Sequence, residues 1–311
     1  MGTIAAFIHE LEKLDPVMKE PLTDFTWSRD IDTREDISFA DEATSYHRIS
    51  YGIMGAQTAQ GKPWLTGSSK SLPSISVDAE KIVGPVGKLG AGVHFTEFEL
   101  EASKRCGQDI AQQKTRGVKI FYQQTCDEQA YVGDTFNKQF GLFNCPTINR
   151  QDVANGAGGS PLWTKKTPKE ILFDLNDMLA ACAKRAGFAR YPNTLRLAPD
   201  PYNYITSTMV SDLGEKSILT YLLQNNICNK EGQTLSIERV KWLDDVGKNK
   251  SQRMVAYYKD PQFVRLPIVQ IQMFPVNKDP VDGIHYTVPY YWALGQVEFC
   301  YPETVIYRDG M

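Results

Sequence analysis

Apolar positions in the first 45 residues follow no lasting period. Val17, Leu22, Phe25, Trp27, Ile31, Ile37 and Phe39 stand apart among polar neighbours, and Asp15-Pro16 and Glu20-Pro21 interrupt the run. Such a stretch cannot bury enough surface to fold alone, so residues 1–45 are predicted to form an arm whose separate apolar groups dock on another surface. Only its start is helical in pattern, with Ile4, Phe7, Ile8 and Leu11 on one face. Over residues 46–95 the reading becomes a long β-hairpin. Tyr46 to Tyr51 begins one strand, and Ile75 to Val77 and Lys81 to Val83 belong to the return. Between them, Gly55 to Lys70 is small, polar and glycine-rich, with a single tryptophan, Trp64. Loops this long inside a domain are usually functional.

The period becomes helical at Thr96. Thr96-Glu97-Phe98-Glu99 is a capping box, in which the threonine oxygen takes the amide three residues on and the glutamate returns the bond. Apolar positions follow at Phe98, Ala102, Cys106, Ile110, Val118, Phe121 and Tyr122. If unbroken, this helix is about 35 residues and about 50 Å long, a spine for other elements, slightly weakened by Gly107 and Gly117. Residues 131–166 are rich in loop signals, most clearly Asn155 to Pro161. Thr167-Pro168-Lys169-Glu170 opens a second helix whose apolar face is Ile171, Leu172, Leu175, Met178, Leu179, Cys182 and Ala186, with Gly187 as its stop. A short strand at Thr194 to Leu197, helices at Tyr202 to Met209 and Ser217 to Gln224, and strands at 235–243, 253–258, 263–274 and 284–306 complete an α+β order. No internal repeat is visible.

Composition narrows the function. With 311 residues, 42% hydrophobic and 23% charged, the chain can build a real core, and a length prior gives about two domains. A net charge of −3 argues against a large nucleic-acid surface. No stretch is long and apolar enough to span a bilayer, and the N-terminal residues lack the basic leader of a secretory signal. The N-terminus also has Ala6 where a myristoylation signal would want serine or threonine. Six dispersed cysteines without a C-x-x-C pair read as reduced thiols, most of them small buried hydrophobes.

The sequence carries no recognisable catalytic pattern. His9, His47, His94 and His285 have no metal-spaced partner, and Gly55 to Lys62 and Gly84 to Leu89 fail the phosphate-loop spacing. Gly67-Ser68-Ser69-Lys70-Ser71 lacks the second glycine of a nucleophile elbow. Cys145 has no supporting nucleophile pattern, and Asp174, Asn176 and Asp177 belong to a helix rather than a calcium loop. Glu97, Glu99 and Glu101 are expected at a helix start on dipole grounds alone. The sequence therefore predicts no catalytic residue, no cofactor and no metal.

The order of elements, together with local motifs, resembles the major capsid proteins of tailed bacteriophages with the Hong Kong 97-type fold. The motifs are Leu72-Pro73-Ser74-Ile75-Ser76-Val77 in the return strand, His94 to Ala102 at the spine-helix start, and Gly133-Asp134 with Gly141-Leu142-Phe143-Asn144-Cys145-Pro146. Trp163 to Leu175 at the next helix and the tail Tyr307-Arg308-Asp309-Gly310 add to them. The match runs over most of residues 45–310, and the arm has no counterpart.

That resemblance implies a structural, non-enzymatic subunit. It would form hexamers and pentamers of an icosahedral shell around double-stranded DNA, in a virion capsid assembled in the host cytoplasm. Its implied organisation is an arm (1–45), an extended hairpin or E-loop (46–95) and the spine helix with the first part of a peripheral domain (96–140). An axial domain (141–269) and the second peripheral part (270–311) follow. Its implied partners are copies of itself, with decoration, scaffolding and portal proteins as further ones, packaged DNA by weak non-specific contact, and no membrane. A removable scaffolding domain is expected to be absent or already gone, since about 45 residues precede the hairpin. Candidate intersubunit contacts are Phe25 and Trp27 in the arm and Gly61, Lys62, Trp64 and Lys70 in the hairpin loop. Arg29 and Arg34 are candidates for phosphate contact. No covalent cross-link is carried over to the lysines. An encapsulin-type nanocompartment shell is the alternative within the fold. A hydrolase using Cys145 or the Glu97 cluster is the alternative outside it.

Overall fold

The computed structural model describes residues 22–54, 72, 74–106, 110–210, 216–278 and 283–311. Residues 1–21 and the hairpin loop with Gly61, Lys62, Trp64 and Lys70 lie outside them. The arm supplies one helical turn, α1 (Trp27–Asp30), and a short strand, β1 (Asp32–Arg34). The hairpin follows as β2 (Ala43–Met54) and β3 (Ser74–Thr96). β3 changes partner along its length. Ser74 to Pro85 pairs with β2, and Val86 to Thr96 pairs antiparallel with β10 (His285–Gly295). A long sheet in the order β1-β8-β10-β3-β2 results, with β8 spanning Val264–Met273. β9 (Asn277–Lys278) adds to β10, and β11 (Glu298–Phe299) adds to β8.

The expected spine is two helices, α2 (Glu97–Cys106) and α3 (Ile110–Tyr131). They are not collinear. The Ile110 amide donates to Ser103 Oγ at 3.3 Å, and Lys114 Nζ lies 2.9 Å from Glu99 Oε2. In one straight helix those pairs would be separated by about 10 and about 22 Å along the axis. The capping box forms as read: the Glu99 amide donates to Thr96 Oγ1 at 3.2 Å, and the Thr96 amide to Glu99 Oε2 at 3.3 Å. That box fixes where the helix starts, and its Glu99, with Ser103, also holds the bend through Lys114 and the Ile110 amide.

The second sheet is five-stranded, ordered β4-β12-β7-β5-β6. Its members are β4 (Asn149–Asp152), β5 (Thr194–Leu197), β6 (Ser236–Arg239), β7 (Arg253–Tyr257) and β12 (Val305–Asp309). One face is covered by α4 (Pro168–Arg185), α5 (Pro199–Ser207), α6 (Ile218–Gln224) and α7 (Ile227–Lys230). Strand alternation divides the core. Met254, Ala256 and Ile306 meet Ile171, Leu175 and Met178, whereas Val255, Tyr257 and Tyr307 meet Tyr122, Leu266 and Trp292. A sheet buried on both faces reads as a continuous apolar run rather than an alternation.

All of β8 belongs to the long sheet. Residues 305–309, placed with the second peripheral part, sit inside the five-stranded sheet between β4 and β7. Arg308 and Asp309 look like a polar tail in sequence. In the fold Asp309 is buried and takes a two-bond fork from Arg253 at 2.6 and 2.8 Å, and Arg308 reaches Asp177 at 2.6 Å. Partners this distant leave no local pattern.

Candidate assembly surface

Phe25 and Trp27 do dock, but on their own chain. Trp27 is 8% exposed within the main core, with Phe25 packed against that core. The Trp27 indole donates to Gln123 Oε1 at 2.8 Å. The Thr26 and Trp27 amides both donate to Asp127 Oδ1, at 2.9 and 3.1 Å, so a buried carboxylate on α3 holds the unpaired donors that open α1. Asp30 closes the turn. Its carboxylate accepts from Arg196 Nε of β5 at 2.8 Å, from Arg29 Nε at 2.7 Å and from the Tyr131 hydroxyl. The Tyr257 hydroxyl donates to its carbonyl at 2.7 Å. Burial first, then the Asp30 charge, pushes the Tyr131 hydroxyl well above its ordinary range, so it remains a proton donor. The arm is thus riveted to α3 and to both sheets of its own subunit. The sequence signal missed here is the polar pair Asp30 and Asp127, whose value lies in distant arginine and tryptophan partners.

Arg29 and Arg34 are likewise committed within the subunit. Arg29 pairs with Asp30 and lies 3.6 Å from Glu238. Arg34 pairs with Asp36 at 2.6 Å and with buried Glu298 at 2.9 Å, which also takes Arg265 at 2.6 Å.

The hairpin presents a different picture. Between Ala43 and Met54, β2 pairs with β3 alone, and that length of β3 has β2 as its strand partner, so this part is a two-stranded ribbon. The pleat sorts its side chains. Ile49 opposite Ala79 and Tyr51 opposite Val77 share one face with Ile75 and Val83, with His47 opposite Lys81 set between Ile49 and Val83. Arg48 opposite Glu80 and Ser50 opposite Asp78 share the other. The apolar face is open: Tyr51 is 74% exposed, Ile75 73%, Val77 59%, Val83 57% and Ile49 52%. Near the body, the Tyr46 hydroxyl donates to the Phe299 carbonyl at 2.8 Å and burial pushes its pKa up to about 12. An isolated hairpin is marginal in water, and an apolar stripe of this length normally marks an interaction site.

The other sequence candidates fall into structural places. Cys145 is buried with its Sγ 3.1 Å from Thr147 Oγ1, and the adjoining groove, lined by Tyr46, Arg48, Glu80, Phe140 and Pro146 among others, includes no histidine. Cys126, Cys182 and Cys228 are buried, which pushes each thiol up to about 12. Glu99 caps α2 and pairs with Lys114, whose hydrogen bond holds the carboxyl below its ordinary value. Among the described residues no group of three or more histidines, cysteines or carboxylates could hold a metal ion. Nor is any helix of theirs long and apolar enough to cross a membrane.

Residues 61–311 match the family model described as Major capsid protein. No curated protein matches the sequence. Among solved structures, the capsid of Myoviridae phage XM1 aligns with a TM-score of 0.78 at 14% identity, covering 97% of this chain and 98% of that one. The capsid of a native GTA particle aligns at 0.60 and 11% identity, covering 99% and 98%. A virus-like particle from Pyrococcus furiosus aligns at 0.53 and 13%, covering 91% of each chain. At these identities the likeness is one of fold.

Proposed function

The chain belongs to the major capsid protein family, and from that premise we propose that it closes into an icosahedral tailed-phage shell through its hairpin ribbon. The fold is the Hong Kong 97-like capsid fold, and the work of the protein is to build the virion shell from copies of itself. The subunits associate as hexamers and pentamers around double-stranded DNA. The five-stranded sheet and its helices form the domain that meets its copies at the capsomer centre, and the long sheet with α2 and α3 lies at the periphery. Contact with packaged DNA is weak and without sequence preference, carried by phosphate charge, and falls steeply with salt.

The observation that carries this reading is the ribbon's open apolar face. Five large side chains stand exposed on a two-stranded element over which none of the described residues forms a second layer. Covering them is worth about 25 cal/mol per Å² of apolar area removed from water. Electron microscopy of the purified protein should reveal closed particles. Tyr51→Asp with Val77→Asp should leave a folded, unassembled subunit with unchanged circular dichroism, because neither side chain touches the core. Normal particles from that double variant would sink the proposal.

A further inference from the structure

A tight turn follows α3 and holds one aromatic side chain in solvent. The Asp134 carboxylate ties the turn to itself, its Oδ1 accepting from the Phe136 amide at 2.9 Å and its Oδ2 from Asn137 Nδ2 at 2.6 Å. The Gln139 amide donates back to the Asp134 carbonyl at 2.8 Å. Gly133 stands at φ +73°, and a Cβ there would collide with the Gln139 carbonyl, so only glycine lets the chain fold back this sharply. At the tip, Phe136 is 90% exposed and joins none of the hydrophobic clusters. A ring fixed on a preorganised turn loses little freedom on binding, which suits it to act as an anchor.

A cavity of about 610 Å³ opens where α4 ends. Ala186, Gly187 and Ala189 supply a lining of small residues, and Phe263 and Tyr301, ring centroids 4.9 Å apart, supply an aromatic one. Tyr301 is 52% exposed, so the aromatic part is open to a visitor. The charges of the two places mirror each other. The cavity carries Arg185 and Arg190 with one acid, Glu303, all three exposed. The turn carries one exposed cation, Lys138, with the acids Asp134 and exposed Glu128. Because Phe136 stands in solvent, it does not fill the cavity of its own subunit. We propose that Phe136 of one copy inserts into the α4-end cavity of a second copy, with Lys138 directed to that copy's Glu303 and Glu128 to its Arg190. The paired signs fix the orientation of the insertion and disfavour a reversed one. Knob and cavity are different patches, so each copy gives one and receives one, a head-to-tail contact. The inference rests on the chain assembling with its own copies, and it places a contact apart from the ribbon.

The test is a cross-link in the full-length protein. Phe136→Cys combined with Ala189→Cys, assembled under mild oxidation, should give a ladder of disulfide-linked multimers on a non-reducing gel, beyond anything either single variant gives. Truncation and charge reversal provide measurements that need no cysteine. Phe136→Ala should raise the subunit concentration needed for shell formation by about thirtyfold, the loss of one aromatic anchor, with unchanged circular dichroism. Lys138→Glu should raise it by about fivefold, and adding Glu303→Lys should restore it. Shells that form without a ladder, normal assembly by Phe136→Ala, or a reversal that Glu303→Lys fails to rescue would overturn this contact and leave the assembly reading standing. A wild-type protein that forms no shell would overturn the assembly reading itself.

Discussion

Trp27 and Asp30 show how residues in an arm can belong to a core. Both are buried, and together with Asp127, Tyr131, Arg196 and Tyr257 they join elements about 100 to 230 positions apart in sequence. Trp27→Ala removes an indole from a packed core, which costs about 3–5 kcal/mol in stability. The loss is therefore expected in chemical denaturation of the unassembled subunit, not only in shell yield. Asp30→Asn leaves the Arg196 guanidinium buried without its counter-charge, and breaking a buried pair in this way costs about 3–5 kcal/mol. The same denaturation experiment measures it, and an unchanged midpoint for either variant would contradict the arm's attachment. The same logic applies to Lys166 and Asp174, a buried pair at 2.6 Å that fixes the approach to α4.

At the scale of the element, the start of α4 was fully readable. Thr167 and Glu170 exchange the two bonds of a capping box, and Pro168 occupies the first turn. The Ala157 amide, then the Thr167 amide and hydroxyl, holds the Glu170 carboxyl below its ordinary 4.5. The sign follows from linkage. A depressed carboxyl pKa adds stability that is complete above the unfolded value and is lost as pH falls through the folded one. Glu170→Gln should therefore flatten the decline in stability below about pH 4.5 while keeping the helix, which thermal melts across that range would register. The ribbon is the opposite kind of element. Its strands follow from β-branched and aromatic alternation, yet its amphipathicity depends on register, since a slip of one residue would mix Tyr51 and Val77 with the acidic face.

For the whole molecule, the decisive feature is the return of the C-terminal strand. β12 sits between β4 and β7, so the last residues complete a sheet begun about 150 residues earlier. Ending the chain at Thr304 would remove Val305, Ile306 and Tyr307 from the middle of both cores, leave β4 without its strand partner and open one edge of β7, which would keep only β5. Such a chain should be recovered as insoluble or protease-sensitive material rather than as a folded subunit that merely fails to assemble. Limited proteolysis beside the full-length protein distinguishes the two outcomes.

What the sequence determined by itself was local. The capping boxes at Thr96 and Thr167, the apolar face of α4 and the two hairpin strands follow from contacts within a few residues, so their signals lie in short windows. The order of those elements, with their motifs, also carried the family resemblance. Tertiary structure decided everything that depended on distant pairing. It bent the spine at α2 and α3, because Glu99 and Ser103 found Lys114 and the Ile110 amide rather than solvent. It turned Phe25 and Trp27 inward onto Asp127 and Gln123, and beyond their near neighbours Asp30 and Asp36 it brought Arg29 to Glu238 and Arg34 to Glu298, partners that sequence spacing cannot reveal. It also drew the polar tail at Arg308 and Asp309 into a sheet. Pairing of charges and strands across a hundred or more residues is fixed by the geometry of the packed core, and a hydrophobicity pattern carries the period of an element but not the identity of its neighbour.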